Sequence, residues 1–438
     1  MTQSNSSTRT AFIFVTTLFF LWGFITVLVD SLVPRIKDVF EMTYGRTILV
    51  QSAFFIAFFV VSLPAGAILS KIGYKKGIVL GLLIMACGCL LFYPASEFRS
   101  FVVFMMGYFT LASGITVLQV AANPYVALLG SEAGASSRLN LSQAFNSLGT
   151  TIAPIVGALF LLSNSVKSSE EIEQLSELAK TEYYAQEAST VQVPFLFIAG
   201  FIVFLAIVFA FINLPKVVEQ SPNKGYKALL KNKMMLLGAL GIFVYVGAEV
   251  AIGSSFMINY FESMSLGAIV AENQTMMSIA NTIASTFNKT FSDSDPKSLL
   301  GVFVIFYWGG AMIGRFVGAY LTKIMKPGKV LAIFATLAAA MVLISISTVG
   351  LISMWSILAV GLFNSIMFPT IFTLTLDGLG DLKAQASGLL CMAIVGGAVV
   401  PFIFGNLIDF FDFKVAFFLP ILCYLYILLF GRMKARTT

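Results

Sequence analysis

The 438-residue chain contains no histidine, and only 11% of its residues are charged. The first absence removes the side chain that most often binds a metal and that titrates near neutrality. Ion binding or proton exchange must therefore rest on carboxylates. The second excludes an ordinary soluble domain, in which about 25% of residues carry charge. The four cysteines, Cys87, Cys89, Cys391 and Cys423, lie inside apolar runs without metal-ligand spacing, so they read as small hydrophobes. No strand-length run alternates with period two, as the wall of a transmembrane barrel would. A phosphate-cradling Gly-rich loop ending in Lys and Ser or Thr is also missing, which leaves ATP hydrolysis without a site. The sequence thus calls for no cofactor and no enzyme chemistry.

What is present is apolar surface: 58% of residues are hydrophobic, with a mean hydropathy of +0.92. Apolar runs of 18 residues or more are long enough for helices that cross a bilayer. They predict an all-α membrane protein with twelve transmembrane helices. Six fall in an N-terminal bundle over 11–214 and six in a C-terminal bundle over 234–431. Residues 1–10 and 432–438 form short polar tails, and 215–233 a basic linker. The first run has no small-residue cleavage site, so it reads as a retained helix. With the N-terminus inside, the inner segments carry seventeen Lys and Arg and the outer segments nine, Arg315 lying within a span. That imbalance satisfies the positive-inside rule and places both termini in the cytoplasm. The net charge of +6 then marks a membrane-facing rim rather than a nucleic-acid surface.

The two halves repeat one another in the same direction. Gly66, Ser70, Lys71, Gly73, Tyr74, Lys75 and Lys76 after the second span are echoed by Gly318, Thr322 and Lys323 after the eighth. Asn123-Pro124 and Phe368-Pro369 occupy matching places in the fourth and tenth spans, each followed by a Leu-Gly exit. Gly149 and Pro154 in the fifth span match Gly396 and Pro401 in the eleventh.

Polar residues inside these spans are the candidates for function. Asp30 closes the first span, where an ionised carboxylate costs about 2.5–3.5 kcal/mol on insertion scales, and Thr26 offers a hydroxyl nearby. Glu249 lies near the middle of the seventh span, 234–258, where solvation is hardest, and reads as a ligand for a sugar or a cation. Gln119 and Asn123 share one helix face, as do Gln143 and Asn146. Each amide alone is ordinary interhelical glue; two pairs on consecutive helices suggest a shared polar cavity, with Asn364 in the other half. Amides both donate and accept, as vicinal hydroxyls require. Trp22 is positioned to stack on a sugar's C–H face, whereas Phe54 and Phe55 read as packing. Arg315 reads as a structural charge, with Asp377 its expected partner. The stretch 261–298 is long for a connection and suggests only an outer cap.

The six-plus-six spans, the basic central loop and the Gly-Lys-Gly turn after the second span resemble the major facilitator superfamily. Three further segments resemble its fucose–proton symporter family: Phe20-Leu21-Trp22-Gly23 through Asp30 to Pro34, Ala121 to Val126, and Arg138 to Gly149. Tyr245 to Gly253, Tyr307 to Met312 and Phe363 to Thr370 look most like the bacterial glucose/galactose transporters. The resemblance implies alternating access in a bacterial inner membrane, a neutral monosaccharide and a coupling cation as partners, and a monomer. It places Asp30, Gln143 and Asn146 at positions used for coupling and sugar contact. Two departures stand out. Ser70 replaces the usual Asp of the turn, removing an inter-helix ion pair. Gln119 replaces the Glu of proton-coupled fucose carriers, so the resemblance tilts coupling toward Na⁺ held at Asp30, with Glu249 and Thr26 assisting. The alternatives are a proton-coupled carrier of L-fucose or another monosaccharide, and a sugar sensor on the same fold.

Overall fold

The computed structural model describes residues 2–39, 44–160, 174, 176–215, 225–285 and 296–437, with the side chains of 30–51 among those left out. The described chain is helical. The N-terminal half contains α1 (Thr2–Val39), α2 (Tyr44–Ile72), α3 (Tyr74–Glu97), α4 (Phe101–Leu128), α5 (Ala135–Phe160) and α6 (Glu177–Phe211). After a short linker helix α7 (Tyr226–Lys231) come α8 (Lys233–Gly253), three short helices α9 (Ser255–Ser263), α10 (Leu266–Glu272) and α11 (Gln274–Ser285), then α12 (Pro296–Ile324) and α13 (Pro327–Ser347). The chain ends with α14 (Gly350–Asn364), α15 (Met367–Leu376), α16 (Lys383–Met392), α17 (Gly396–Phe410), α18 (Phe413–Ala416) and α19 (Phe418–Thr437).

Local chemistry sets the helix ends. Ser100 accepts from the Val103 amide, Asn232 from the amides of Met234 and Met235, and Asp412 from that of Val415. Each satisfies a donor that the first helical turn leaves open. Pro327 occupies the first position of α13, where no amide hydrogen is needed. Arg138 closes the other kind of end. Its guanidinium donates to the carbonyls of Val126, Ala127 and Ser131 at the exit of α4, where Gly130 has φ +119°.

Eleven segments among the described residues are long and apolar enough to cross a membrane. The fifth expected span, 139–162, corresponds to α5, a continuous helix whose polar residues, from Ser136 to Thr151, keep it from reading as a simple apolar segment. Three expected spans are not single helices. The seventh stops at Gly253, because the Ser254 side chain caps the next helix through the Phe256 amide. The tenth breaks between Asn364 and Met367, and the eleventh between Met392 and Gly396. The described part of 261–298 is helical: α10 packs on α12 and α14, and α11 on α12. Its Glu262 pairs with Lys297 at 3.3 Å. This cap belongs to the C-terminal half.

The halves meet at the end of the bundle that carries the linker and the C-terminus. Lys383 pairs with Glu132 at 3.0 Å. Ser136 and Thr373 share a hydrogen bond at 2.6 Å, the Asn140 amide donates to the Thr370 hydroxyl at 3.1 Å, and Ser137 donates to the Ala319 carbonyl at 2.6 Å. Where the Asp of the turn after α2 is missing, glycine takes over. A Cβ on Gly388 would lie 3.2 Å from the Gly66 Cα and 2.6 Å from the Ser62 carbonyl, so α2 and α16 touch backbone to backbone. Ser70 bonds only its own helix, at the Ala67 carbonyl. The Tyr226 hydroxyl of the linker helix donates to the Leu63 carbonyl beside that crossing. Burial pushes its phenol up to about 12, so it remains a neutral donor at physiological pH.

Glycine also fixes α1 against α5. A Cβ on Gly149 would meet the Phe20 carbonyl at 2.2 Å, and one on Gly23 the Asn146 carbonyl at 2.4 Å. Gly149→Ala should therefore force the two helices apart and cost about 1–3 kcal/mol. The check is thermal unfolding of the purified protein in detergent, with Gly200→Ala, where an added Cβ meets nothing within 4 Å, as the tolerated control.

Candidate functional site

The polar residues expected at the site separate into two groups. In the N-terminal half, Gln143 Nε2 on α5 donates to Asn123 Oδ1 on α4 at 3.1 Å, so the amides of consecutive spans meet as their helix faces suggested. Asn123 is fully buried, and its own Nδ2 has no partner within the protein. Asn146 Nδ2 donates to the Phe19 carbonyl on α1 at 2.9 Å. Thr26 donates to the Trp22 carbonyl at 2.9 Å. Trp22 is buried and lies edge-on to Phe19, ring centroids 5.4 Å apart. Gln119 is partly exposed. Phe55 packs against Gly397 of the other half, as packing material would. The Asp30 side chain lies outside the described residues.

In the C-terminal half, Asn364 Nδ2 donates to the Tyr307 hydroxyl at 2.8 Å. That hydroxyl in turn donates to the Glu249 carbonyl at 3.1 Å. Tyr307 thus joins the two residues that the sequence left separate. Tyr245, one turn before Glu249, turns its hydroxyl toward that carboxyl, and Tyr424 on α19 turns its hydroxyl toward Asn364, both outside hydrogen-bond geometry. Sequence reasoning passed over all three tyrosines. Nothing distinguished Tyr424 from other aromatics in apolar runs, whereas Tyr245 and Tyr307 each open a segment already singled out for family resemblance.

Arg315 connects the groups, and its partner is not Asp377. Proline explains the choice. Pro369 has no amide hydrogen, so the Ser365 carbonyl four residues earlier loses its helical donor. Arg315 Nε supplies one at 3.2 Å, while Nη1 donates to the Ser147 hydroxyl of α5. Among the described residues Arg315 makes no ion pair. The matching proline of the N-terminal half behaves alike: Pro124 releases the Val120 carbonyl, which accepts from the Ser387 hydroxyl of α16 at 2.8 Å.

A cavity of about 600 Å³ lies at the end of the bundle that carries the linker and the C-terminus, lined by residues such as Glu132, Ser136, Lys323, Asp377 and Lys383. It is a space between the halves near the linker and contains none of the expected site residues. No cluster of three or more His, Cys, Asp and Glu occurs among the described residues. An all-oxygen site with one carboxylate suits hydroxyl-bearing ligands and small hard cations, not the softer transition metals.

Tyr307→Phe should leave the Asn364 amide without its acceptor while keeping the ring in place. The expected cost is about 1–3 kcal/mol, read as a lower melting temperature that is largely absent when Asn364 is already alanine.

The model of the major facilitator superfamily matches residues 10–393. A glucose/galactose transporter of Brucella abortus is 43% identical over 439 residues, covering 100% of this chain and 97% of the relative. An L-fucose-proton symporter of Escherichia coli is 31% identical, covering 97% and 93%. The crystal structure of the transporter FucP in its outward conformation has a TM-score of 0.85 at 30% identity, covering 98% of this chain and 99% of that one. Together with the apolar helices, these likenesses show that the chain is a multi-pass membrane transporter belonging to the major facilitator superfamily.

Proposed function

We propose that this protein imports a neutral hexose of the glucose/galactose type across the bacterial inner membrane by cation symport, with Na⁺ as the coupling ion. The observation that carries the sugar assignment is the pair of amides Gln143 and Asn123 bonded across α4 and α5, next to Asn146. It is supported by 43% identity along the whole chain to a glucose/galactose transporter. Gln119, Asn123, Gln143, Asn146 and Trp22 form the sugar-facing set. In the present conformation their polar atoms are mostly spent on helix contacts. Sugar hydroxyls would exchange with those bonds, as amides that both donate and accept allow. Asp30, with the Thr26 hydroxyl, is assigned to the coupling ion. Its neutralisation by a bound cation would remove a charge that opposes closure.

The proposed architecture has twelve spans with both termini cytoplasmic. On that orientation the linker end is the inner end, and the inter-half bonds there hold the inner side shut. The conformation then opens outward, in keeping with the likeness to outward-facing FucP. Transport requires those bonds to break as the halves rock about the midplane. Coupling requires that the cation raise sugar affinity and the sugar raise cation affinity by the same factor.

One relative speaks for a second coupling ion. The 31% identical fucose symporter is named for protons, but Gln119 removes one group that could titrate. Initial sugar uptake into proteoliposomes at fixed pH, with Na⁺ replaced by choline, decides between the ions. Loss of accumulation in choline, and in Asp30→Asn with Na⁺ present, is expected. Full accumulation in choline with alkalinisation outside would establish the proton instead.

The sugar assignment has its own test. Gln143→Ala and Asn146→Ala should each weaken sugar binding by about tenfold or more, since a buried hydroxyl left unpaired costs about 1–3 kcal/mol. Unchanged affinity in both variants would move the sugar elsewhere.

A further inference from the structure

Glu249 and Asn364, expected at the sugar, occupy surroundings of a different kind from the amides of the other half. Four polar atoms in this part of the C-terminal half are buried without a hydrogen-bond partner within the protein: Glu249 Oε1, Asn364 Oδ1 and the hydroxyls of Tyr245 and Tyr424. Asn364 and Tyr424 are fully buried and Tyr245 is 1% exposed. They converge from α8, α14 and α19. Tyr245 faces the Glu249 carboxyl, Tyr424 faces Asn364, and Tyr307 ties Asn364 to the Glu249 backbone.

A buried polar atom without a partner costs about 1–3 kcal/mol, and more if it is charged. Four such atoms in one place are too many to be incidental packing. All four are oxygens with lone pairs to offer, and one carries a formal negative charge. Of the donors nearby, Asn364 Nδ2 gives one hydrogen to Tyr307, and each tyrosine hydroxyl can donate its hydrogen while keeping lone pairs free to accept. Asn364 is also the last residue of α14, where the tenth span breaks. The negative end of the helix dipole therefore points at the same spot. Broken helices of this kind present ion ligands at the midplane of transporters.

We infer that Glu249, Asn364, Tyr245 and Tyr424 form a binding site for a small monovalent cation in the C-terminal half, separate from Asp30. The charge balance selects the class of ion. One carboxylate supplies a single negative charge, and the closest cationic side chain, Arg315, is committed to the Ser365 carbonyl and the Ser147 hydroxyl. A divalent ion would be left with an uncompensated buried charge. A monovalent ion is neutralised. Occupation would also be felt at the interface, because Arg315 lies within electrostatic reach of Glu249 and bridges the halves. The inference rests on the cation-symport reading only for its role in transport.

The test measures binding of radioactive sodium to the purified full-length protein, alongside thermal unfolding in NaCl, KCl and choline chloride at equal ionic strength. Asp30→Asn should retain one saturable sodium ion per chain and a melting temperature that rises with Na⁺. Adding Glu249→Gln to it should lower that affinity at least tenfold. Tyr424→Phe, which removes one oxygen and keeps the ring, should lower it severalfold and keeps the test open if Glu249→Gln does not fold. Absence of sodium binding in Asp30→Asn would overturn the inference. So would sodium binding that both Glu249→Gln and Tyr424→Phe leave unchanged, or equal stabilisation by sodium, potassium and choline. Failure of the symport reading is seen separately, as full sugar accumulation in choline whatever the binding stoichiometry.

Discussion

A backbone carbonyl inside a bilayer must find a donor within the protein, because no water is at hand to supply one. Two prolines turn that requirement into architecture. Pro124 and Pro369 stand at matching places in the two halves, and each deprives the carbonyl four residues earlier of its helical partner. The Val120 carbonyl takes the Ser387 hydroxyl from across the interface. The Ser365 carbonyl takes Arg315, whose other arm reaches Ser147 across the interface. In both halves the release of one helical bond becomes a contact between halves. Any movement of one half against the other would disturb these bonds, so the prolines tie the halves together near the end of α4 and at the start of α15.

Sequence alone carried much of this. The repeat was legible from matched prolines and glycines, and the tight α1–α5 contact is the physical reason why Gly23 and Gly149 stand in the segments that resemble known sugar carriers. Helix faces suggested a shared polar cavity for the two amide pairs; that Gln143 bonds Asn123 directly is seen only in the structure. Other features were hidden for stated reasons. Hydropathy is blind to breaks, so the tenth span read as one helix although Asn364 ends one segment and Met367 begins another. The partner of Arg315 was sought among acids, because sequence shows charges but not which carbonyl a proline leaves open. A tyrosine in an otherwise apolar run barely shifts a hydropathy window and resembles the phenylalanines around it, and so the tyrosines around Glu249 were passed over.

The halves share a plan but use their polar groups differently. In the N-terminal half, amides bond to one another and to backbone, and the buried atoms left without a partner, Ser62 Oγ, Tyr74 OH, Asn123 Nδ2 and Asn140 Oδ1, belong to four separate stretches of α2 to α5. In the C-terminal half, four oxygens from three helices remain unpaired around one carboxyl. The difference lies in which side chains fill that plan, with the unpartnered atoms scattered in one half and gathered around Glu249 in the other.

The helical cap formed by α9 to α11 rests on α12 and α14 and is pinned by Glu262 to Lys297. Among the described residues its ties are to the C-terminal half, so a displacement of that half would carry it along. A molecule clamped onto it would grip one half without bridging to the other. A dye attached to the cap would report the position of one half alone.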